Sequence, residues 1–304
     1  MAGLARDYHE KLQEDGVNPN QGDQTEATVD VLGHVTTRLS SSSSEHLGQK
    51  LSALDVLGAL ERSTNGMATG LNGLPYEFWK AINARCIVDV KQKKPAFDVI
   101  KMLTLVYNDI EQYGVLAGSD FAVGWICPLY KKKDREDIAN YRPITLLNTD
   151  YKIFTKALAM KLAETVPAII HENQAGFVPG RSIFDQVKLS KLMIDYAEAT
   201  EENGVIVALD QEKAYDKIGH DYLWKTLGAF GLPAAFITMV KHLYDTAESV
   251  VIINGEMSLP FRMTRGVRQG DPMSCLLFDL AIEPLACMLR HSVIRGFHIP
   301  GVAE

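Results

Sequence analysis

Cysteine is scarce and scattered: Cys86, Cys127, Cys275 and Cys287 form no Cys-x-x-Cys pair. That spacing excludes a zinc ribbon and a disulfide framework, and fits a reducing compartment. No run of 18 apolar residues occurs, so no transmembrane helix is expected. The first thirty residues lack the basic start and apolar stretch of a signal peptide. An excess of positive charge is also missing. Acidic and basic side chains number 38 and 31, a formal charge of −7, which argues against a protein that simply coats nucleic acid. No internal repeat is found. What is present, across 304 residues, is 46% hydrophobic and 23% charged. That is the composition of a globular protein with a real core, and the length suggests about two domains of ~150 residues.

The charge is unevenly spread. Residues 1–30 set Arg6 and Lys11 against Asp7, Glu10, Glu14, Asp15, Asp23, Glu26 and Asp30, a net −5, and the remainder carries −2. Local basic clusters therefore remain open as nucleic-acid sites.

Residues 1–50 read as an acidic, partly flexible extension, with a loop at the Ser40–Ser44 run. Leu51, Leu54, Val56, Leu57 and Leu60 then share one helical face. A glycine-punctuated loop, Asn65 to Pro75, leads to a short helix around Tyr76–Arg85. Phe121–Leu129 reads as a buried strand ending at Lys131-Lys132-Lys133-Asp134. Leu147, Tyr151, Phe154, Leu158 and Leu162 are spaced for a helix that stops before Pro167, and Ile183 through Ala199 for another. Val205–Leu209 is β-branched and apolar, the pattern of a buried strand that delivers Asp210 to a sheet edge. Two helices follow, around Ile218–Phe230 and Phe236–Tyr244. Ser249–Ile253 is a strand, Asn254-Gly255 a hairpin turn, and the return strand lies near Met257–Met263. A last helix starts at Pro272, with Pro284 expected to kink or break it. The mixture is α+β.

Four stretches could carry chemistry. In Leu209-Asp210-Gln211-Glu212-Lys213-Ala214-Tyr215-Asp216, a carboxylate at a strand end can hold Mg²⁺, and Tyr215 could floor a nucleotide pocket. The same residues also fit a capping aspartate and a core tyrosine. In Arg265-Gly266-Val267-Arg268-Gln269-Gly270-Asp271-Pro272, two glycines permit close backbone approach to a ligand. A well-capped loop with solvated arginines is the alternative. Lys131-Lys132-Lys133-Asp134 followed by Tyr141-Arg142-Pro143-Ile144 suits phosphate, or is a solvated charged turn. Asn173 to Ser182 offers an amide, an aromatic ring and a guanidinium suited to a single strand, or is an ordinary helix-to-helix loop.

Taken in order, Tyr-Arg-Pro-Ile-Thr-Leu-Leu-Asn, Gln-Ala-Gly-Phe-Val-Pro-Gly-Arg-Ser, Leu-Asp-Gln-Glu-Lys-Ala-Tyr-Asp and Arg-Gly-Val-Arg-Gln-Gly-Asp-Pro-Met-Ser resemble the reverse transcriptases of LINE-type (non-LTR) retrotransposons, across Leu51 to Phe297. The resemblance implies a right-hand polymerase fold: residues 51–203 as fingers with the glycine loop ahead of them, and 204–304 as a partial palm. It implies that Asp210 is the first metal-binding carboxylate, helped by the carbonyl of Gln211, and that Tyr215 gates against a ribose 2′-hydroxyl. Gln269 and Gly270 would line the nucleotide, and Arg142 with Lys131 or Lys132 would hold its triphosphate. Gly70, Gly73, Gln174, Phe177 and Arg181 would lie near the template. The implied partners are an RNA template, a DNA primer and a dNTP, the implied cofactor is a pair of Mg²⁺ ions, and the implied compartment is the nucleus.

The chain departs from the family in two places. Asn72 stands where family loops carry Asp, which weakens any charge-based role there. No Asp-Asp pair occurs in the sequence, although the family needs an aromatic-x-Asp-Asp hairpin after the Gln269 motif. The chain reaches Glu304 where that hairpin should begin, and a thumb is expected to be absent. With one carboxylate in place of three, Mg²⁺ binding should be weak and the isolated chain inactive. The alternatives are a non-catalytic RNA-binding remnant and an unstable fragment with uncovered sheet edge.

Overall fold

The computed structural model describes residues 1–14, 20–201, 203–293 and 296, with the side chain of Gln21 left aside. Three helices build the N-terminal extension: α1 (Ala2–Lys11), α2 (Gln21–Gly33) and α3 (Ser41–Gly48). The serine run is therefore helical rather than a loop. The Ser40 hydroxyl caps Ser43 N–H, and Leu47, in the last turn, is buried. The extension is tied to the body by Leu39 N–H, which donates to the Phe230 carbonyl at 2.8 Å.

Helix α4 (Ala53–Glu61) starts with a capping box, Ser52 and Asp55. It buries Val56, Ala59 and Leu60 but leaves Leu54 exposed. Helix α5 (Tyr76–Lys91) runs longer than its apolar pattern suggests, and α6 (Val99–Tyr113), capped by Asp98, follows. Strands β1 (Val123–Tyr130) and β2 (Tyr141–Leu147) form an antiparallel hairpin. Helix α7 (Thr149–Thr165) then crosses the centre, with Ile153, Phe154 and Leu162 at 0% exposure. Its Phe154 ring stacks on Tyr107 of α6 at 4.6 Å. Helices α8 (Ile183–Thr200), α9 (His220–Ala229) and α10 (Ala234–Asp245) precede β3 (Glu248–Ile253). Asn254 (φ 54°) and Gly255 (φ 83°) turn the hairpin to β4 (Glu256–Met257). The return is broken: β5 (Phe261–Arg262) rejoins β3 after a gap. Helix α11 (Ser274–Arg290) runs through Pro284 as one element rather than breaking there.

The strand order is β2-β1-β3-β4, with β5 also on β3; β1 and β3 are parallel and the other pairs antiparallel. The architecture is mixed helix and sheet, as the α+β reading holds.

One expectation fails clearly. Residues 203–210 form no strand, and Val205, Ile206, Val207 and Leu209 are 72–88% exposed. A strand needs a free edge to pair with. The outer edge of β3 is taken by β4 and β5, and that of β2 accepts the segment at Gln269. The preceding helix α8 likewise buries none of its residues.

Candidate functional site

The β1–β2 hairpin presents its cations at the tip. Leu129 pairs with Arg142 and Tyr130 with Tyr141, and Lys131 N–H donates to the Asn140 carbonyl at 3.0 Å. Alternation along the strands places Lys131 and Arg142 on the same face of the hairpin. Both are exposed, as is Lys132. Thr145, three residues after Arg142, belongs to the opposite face.

The loop from Arg265 to Asp271 joins separate parts of the chain. On one side, Gly266 N–H donates to the Ile218 carbonyl (2.7 Å) and Val267 N–H to the Tyr215 carbonyl (2.8 Å). On the other, the Gln269 carbonyl accepts Thr145 N–H at 2.7 Å along the edge of β2. Two glycines make this possible. A Cβ on Gly266 would stand 2.8 Å from the Tyr215 carbonyl oxygen, and one on Gly270 only 2.2 Å from that of Thr145. Gly270 also has φ +128°, a region essentially closed to other residues. Three of the four motifs thus meet here.

Tyr215 is half-buried. Its hydroxyl donates to Cys275 Sγ at 3.3 Å, and its ring lies 5.1 Å from that of Phe278. Burial, then the Cys275 contact, pushes its pKa up. The arginines of the loop are not solvated, contrary to the bland reading of the motif: Arg265 and Arg268 are 7% and 2% exposed. Arg268 reaches toward the Glu248 carbonyl (3.4 Å) and sits 5.7 Å from the Tyr151 ring centre. Asp271 accepts Tyr151 O–H at 3.1 Å and Met273 N–H at 2.9 Å. Burial raises the Asp271 pKa, against the pull of the Met273 N–H and the Arg268 charge. The aspartate thus caps the turn before α11 and fixes the loop from within.

Asp210 is not brought into this assembly. It is exposed and makes no hydrogen bond or ion pair among the described residues. Gln211, next to it, borders an open groove of about 720 Å³ shared with Asp30, Lys217, Tyr222 and Arg265. Among the described residues no three His, Cys, Asp or Glu side chains converge as a metal would require. Mg²⁺ demands near-octahedral oxygen ligation and is usually held through one or two carboxylates plus substrate phosphates. A single solvent-facing carboxylate is a poor match, so the described residues do not make up the expected two-ion centre.

The glycine loop is fastened to the junction of β2 and α7. A Cβ on Gly70 would meet Asn148 N at 2.3 Å. Asn72 N–H donates to Asn148 Oδ1 (3.0 Å), Thr149 O–H to the Leu74 carbonyl (2.7 Å), and Lys152 to the Ala68 carbonyl (3.0 Å). Gly73 takes φ +67° with open space around it. Asn72 turns its carbonyl oxygen to Leu74 N–H and its amide toward Asp150, 3.5 Å away.

In the loop before α8, Arg181 is engaged internally. Its guanidinium donates to the carbonyls of Pro167, Ile170, His171 and Gln174. The Gln174 side chain accepts Gly176 N–H at 3.0 Å. Phe177, at φ 55°, is 65% exposed and faces solvent. Of this motif, Phe177 is the side chain left open to a base.

Sequence reading gave no role to two features. One is Asn148, Thr149 and Asp150, which hold the glycine loop. The other is Asp279 and Glu283, both 2% exposed on α11. Burial, then Glu283, pushes the Asp279 pKa up to about 7, with Arg181 opposing. Two carboxylates spaced i, i+4 on an otherwise apolar helix were the available signal.

Residues 130–299 match the family model described as reverse transcriptase (RNA-dependent DNA polymerase). The chain is 44% identical over 162 residues to the Transposon TX1 uncharacterized 149 kDa protein of Xenopus laevis, covering 53% of this chain and 12% of that one. It is 29% identical over 146 residues to the Retrovirus-related Pol polyprotein from type-2 retrotransposable element R2DM of Drosophila melanogaster, covering 48% and 14%. It is 28% identical over 195 residues to the Probable RNA-directed DNA polymerase from transposon BS of the same fly, covering 62% and 21%. The chain spans between 12% and 25% of the length of the curated relatives it matches. No helix among the described residues is long and apolar enough to cross a membrane. The family match takes in the hairpin strand β2 and the loops at Phe177, Tyr215 and Gln269: this chain belongs to the reverse transcriptase family, with relatives among the polymerases of non-LTR retrotransposons.

Proposed function

We propose that the chain is the template- and nucleotide-holding part of an RNA-directed DNA polymerase, with residues 51–203 as fingers and 204–304 as partial palm. The observation that carries this reading is the Gln269–Gly270 segment, bonded along the edge of β2 while Val267 is bonded to Tyr215. It sets Tyr215 and Gln269 beside the strand that carries Arg142. In this reading Lys131 and Arg142 grip the triphosphate from one face of the hairpin, as a point charge and a planar fork. Tyr215 presents a ring edge to the sugar, and Gln269 an amide to the base pair. Phe177 and the loop at Gly70 and Gly73 border the template, and Arg181 and Gln174 shape the turn that presents Phe177. Reverse transcriptases in general depend on divalent metal, and Asp210 with the Gln211 carbonyl would be this chain's contribution to the ions. Action at chromosomal DNA, hence in the nucleus, is inferred from the family.

A lone carboxylate favours binding without turnover in the isolated chain, since removing members of a catalytic unit typically costs orders of magnitude. The test is a fluorescence-anisotropy titration with an RNA template annealed to a DNA primer, run across a salt series beside a primer-extension assay with Mg²⁺ and Mn²⁺. Salt-sensitive binding without extension is expected. Extension that depends on Asp210 would refute the inactivity, and absence of binding at low salt would refute the proposal as a whole.

A further inference from the structure

The end of α5, the loop after it and the first turn of α6 are basic. Residues 91–101 set Lys91, Lys93, Lys94 and Lys101 against Asp98, a net +3 in a chain of net −7. All four lysines are exposed, and none forms an ion pair among the described residues. The two acids nearby are engaged internally. Asp98 accepts Lys101 N–H at 2.9 Å as the cap of α6, and Asp89, 9% exposed, accepts Arg85 Nε–H at 2.8 Å.

Helix formation does not account for two of these lysines. The turn closes as a Schellman motif: Lys94 N–H donates to the Asp89 carbonyl (2.9 Å) and Lys93 N–H to that of Val90 (3.0 Å). Such a motif favours glycine at its left-handed position, yet Lys93 holds it at φ 54°. Lys101 lies in the first turn of α6, the positive end of the helix, where a cation is disfavoured. Between them along the chain, Phe97 is 60% exposed, and Val90 before them is 61% exposed. An open ring among cations that lack acidic partners is the combination that holds single-stranded nucleic acid: the charges track phosphates and the ring stacks on a base.

The place of the turn suits that partner. Helix α5 begins at Tyr76, directly after the glycine loop, and has 16 residues, so its far end stands ~24 Å away along the helix axis. At ~3.4 Å per stacked nucleotide, a strand leaving the glycine loop reaches it within ~7 nucleotides. We propose that the Lys91–Lys101 turn is a second, remote contact for the single-stranded part of the RNA template, with Phe97 as its stacking platform. This rests on the function proposed above, which places the template at the glycine loop.

The experiment titrates the full chain, by fluorescence anisotropy, with an RNA template annealed to a DNA primer and carrying a single-stranded overhang of ~3 or ~15 nucleotides. Wild type should prefer the long overhang. On that overhang alone, Lys91→Gln with Lys94→Gln should lower the slope of log affinity against log salt by ~1.4, and Phe97→Ala should weaken binding ~10-fold. Lys93→Gly supplies a readout that a structural role would not give. It relieves the left-handed backbone, so the melting temperature should hold or rise while affinity for the long overhang falls. Equal affinity of wild type for both overhangs, or variants that bind the long one like wild type, would overturn the contact and leave the proposed function standing. A changed salt slope with no effect of Phe97→Ala would overturn the stacking platform. Binding of neither hybrid at low salt would refute the proposed function, and the contact with it.

Discussion

Replacing Gly270 with alanine tests the assembly of the loop most directly. The new methyl group would start 2.2 Å from the Thr145 carbonyl oxygen and 3.3 Å from its carbon. Those are backbone atoms of β2, held in register with β1, so they have little room to retreat. Alanine at φ +128° adds backbone strain of ~1–3 kcal/mol, and the overlap adds ~1–3 kcal/mol if the loop stays in place. The loop therefore has two exits: accept ~2–6 kcal/mol, or lift off β2 and lose the Thr145–Gln269 bond, which caps the cost nearer ~2–3 kcal/mol. Gly118→Ala is the control, since Gly118 has φ +77° and a Cβ there would meet nothing within 4 Å; it isolates backbone strain at ~1–2 kcal/mol. Urea denaturation of the three proteins gives the comparison, with the m-value reporting whether the same surface is exposed on unfolding. Gly270→Ala should lose at least ~1 kcal/mol more than Gly118→Ala and bind primer–template more weakly. If the two glycine variants are equally stable and Gly270→Ala binds normally, the edge contact is not what holds the loop.

Two other perturbations follow from buried carboxylates. Because folding raises the Asp279 pKa to about 7, the folded state holds the extra proton. Stability should therefore fall as pH rises from about 4 to about 7; thermal melts of Asp279→Asn should lack that component, and the variant should gain on wild type at pH 8. Asn72→Asp would set a carboxylate where the amide now faces Asp150 at 3.5 Å. Burial already raises the Asp150 pKa, and the Asn72 amide is among the contacts that lower it. The substitution should cost ~1 kcal/mol at pH 8, with the loss shrinking toward pH 4 as a carboxyl takes up a proton. Denaturation at both pH values checks this, and a pH-independent loss would point to packing instead.

Several local features were legible in the sequence because their causes are local. Helical spacing in Leu147–Leu162 fixed the inward face of α7, Asn254-Gly255 fixed a hairpin turn, and the order of four motifs fixed the family. Other features depend on what lies opposite in space. Val205–Leu209 has the composition of a buried strand, yet composition cannot supply a partner edge: β4 and β5 take the edge of β3, and β2 bonds the segment at Gln269. Read along the chain, Arg181 looks like a template contact and Arg268 like an arginine of a ligand loop or a solvated one. Only the folded chain brings four carbonyls to the first and buries the second beside Tyr151 and Glu248. The docking of α1 was hidden for the same reason: its contacts join residues 8–13 to residues 213 and 264–265, and nothing in a ten-residue helix of mixed polarity says which surface it will choose. Periodicity, turn chemistry and motif order are written in neighbouring residues; edge pairing, burial of charge and helix docking are decided by which distant surfaces compete for the same hydrogen bonds.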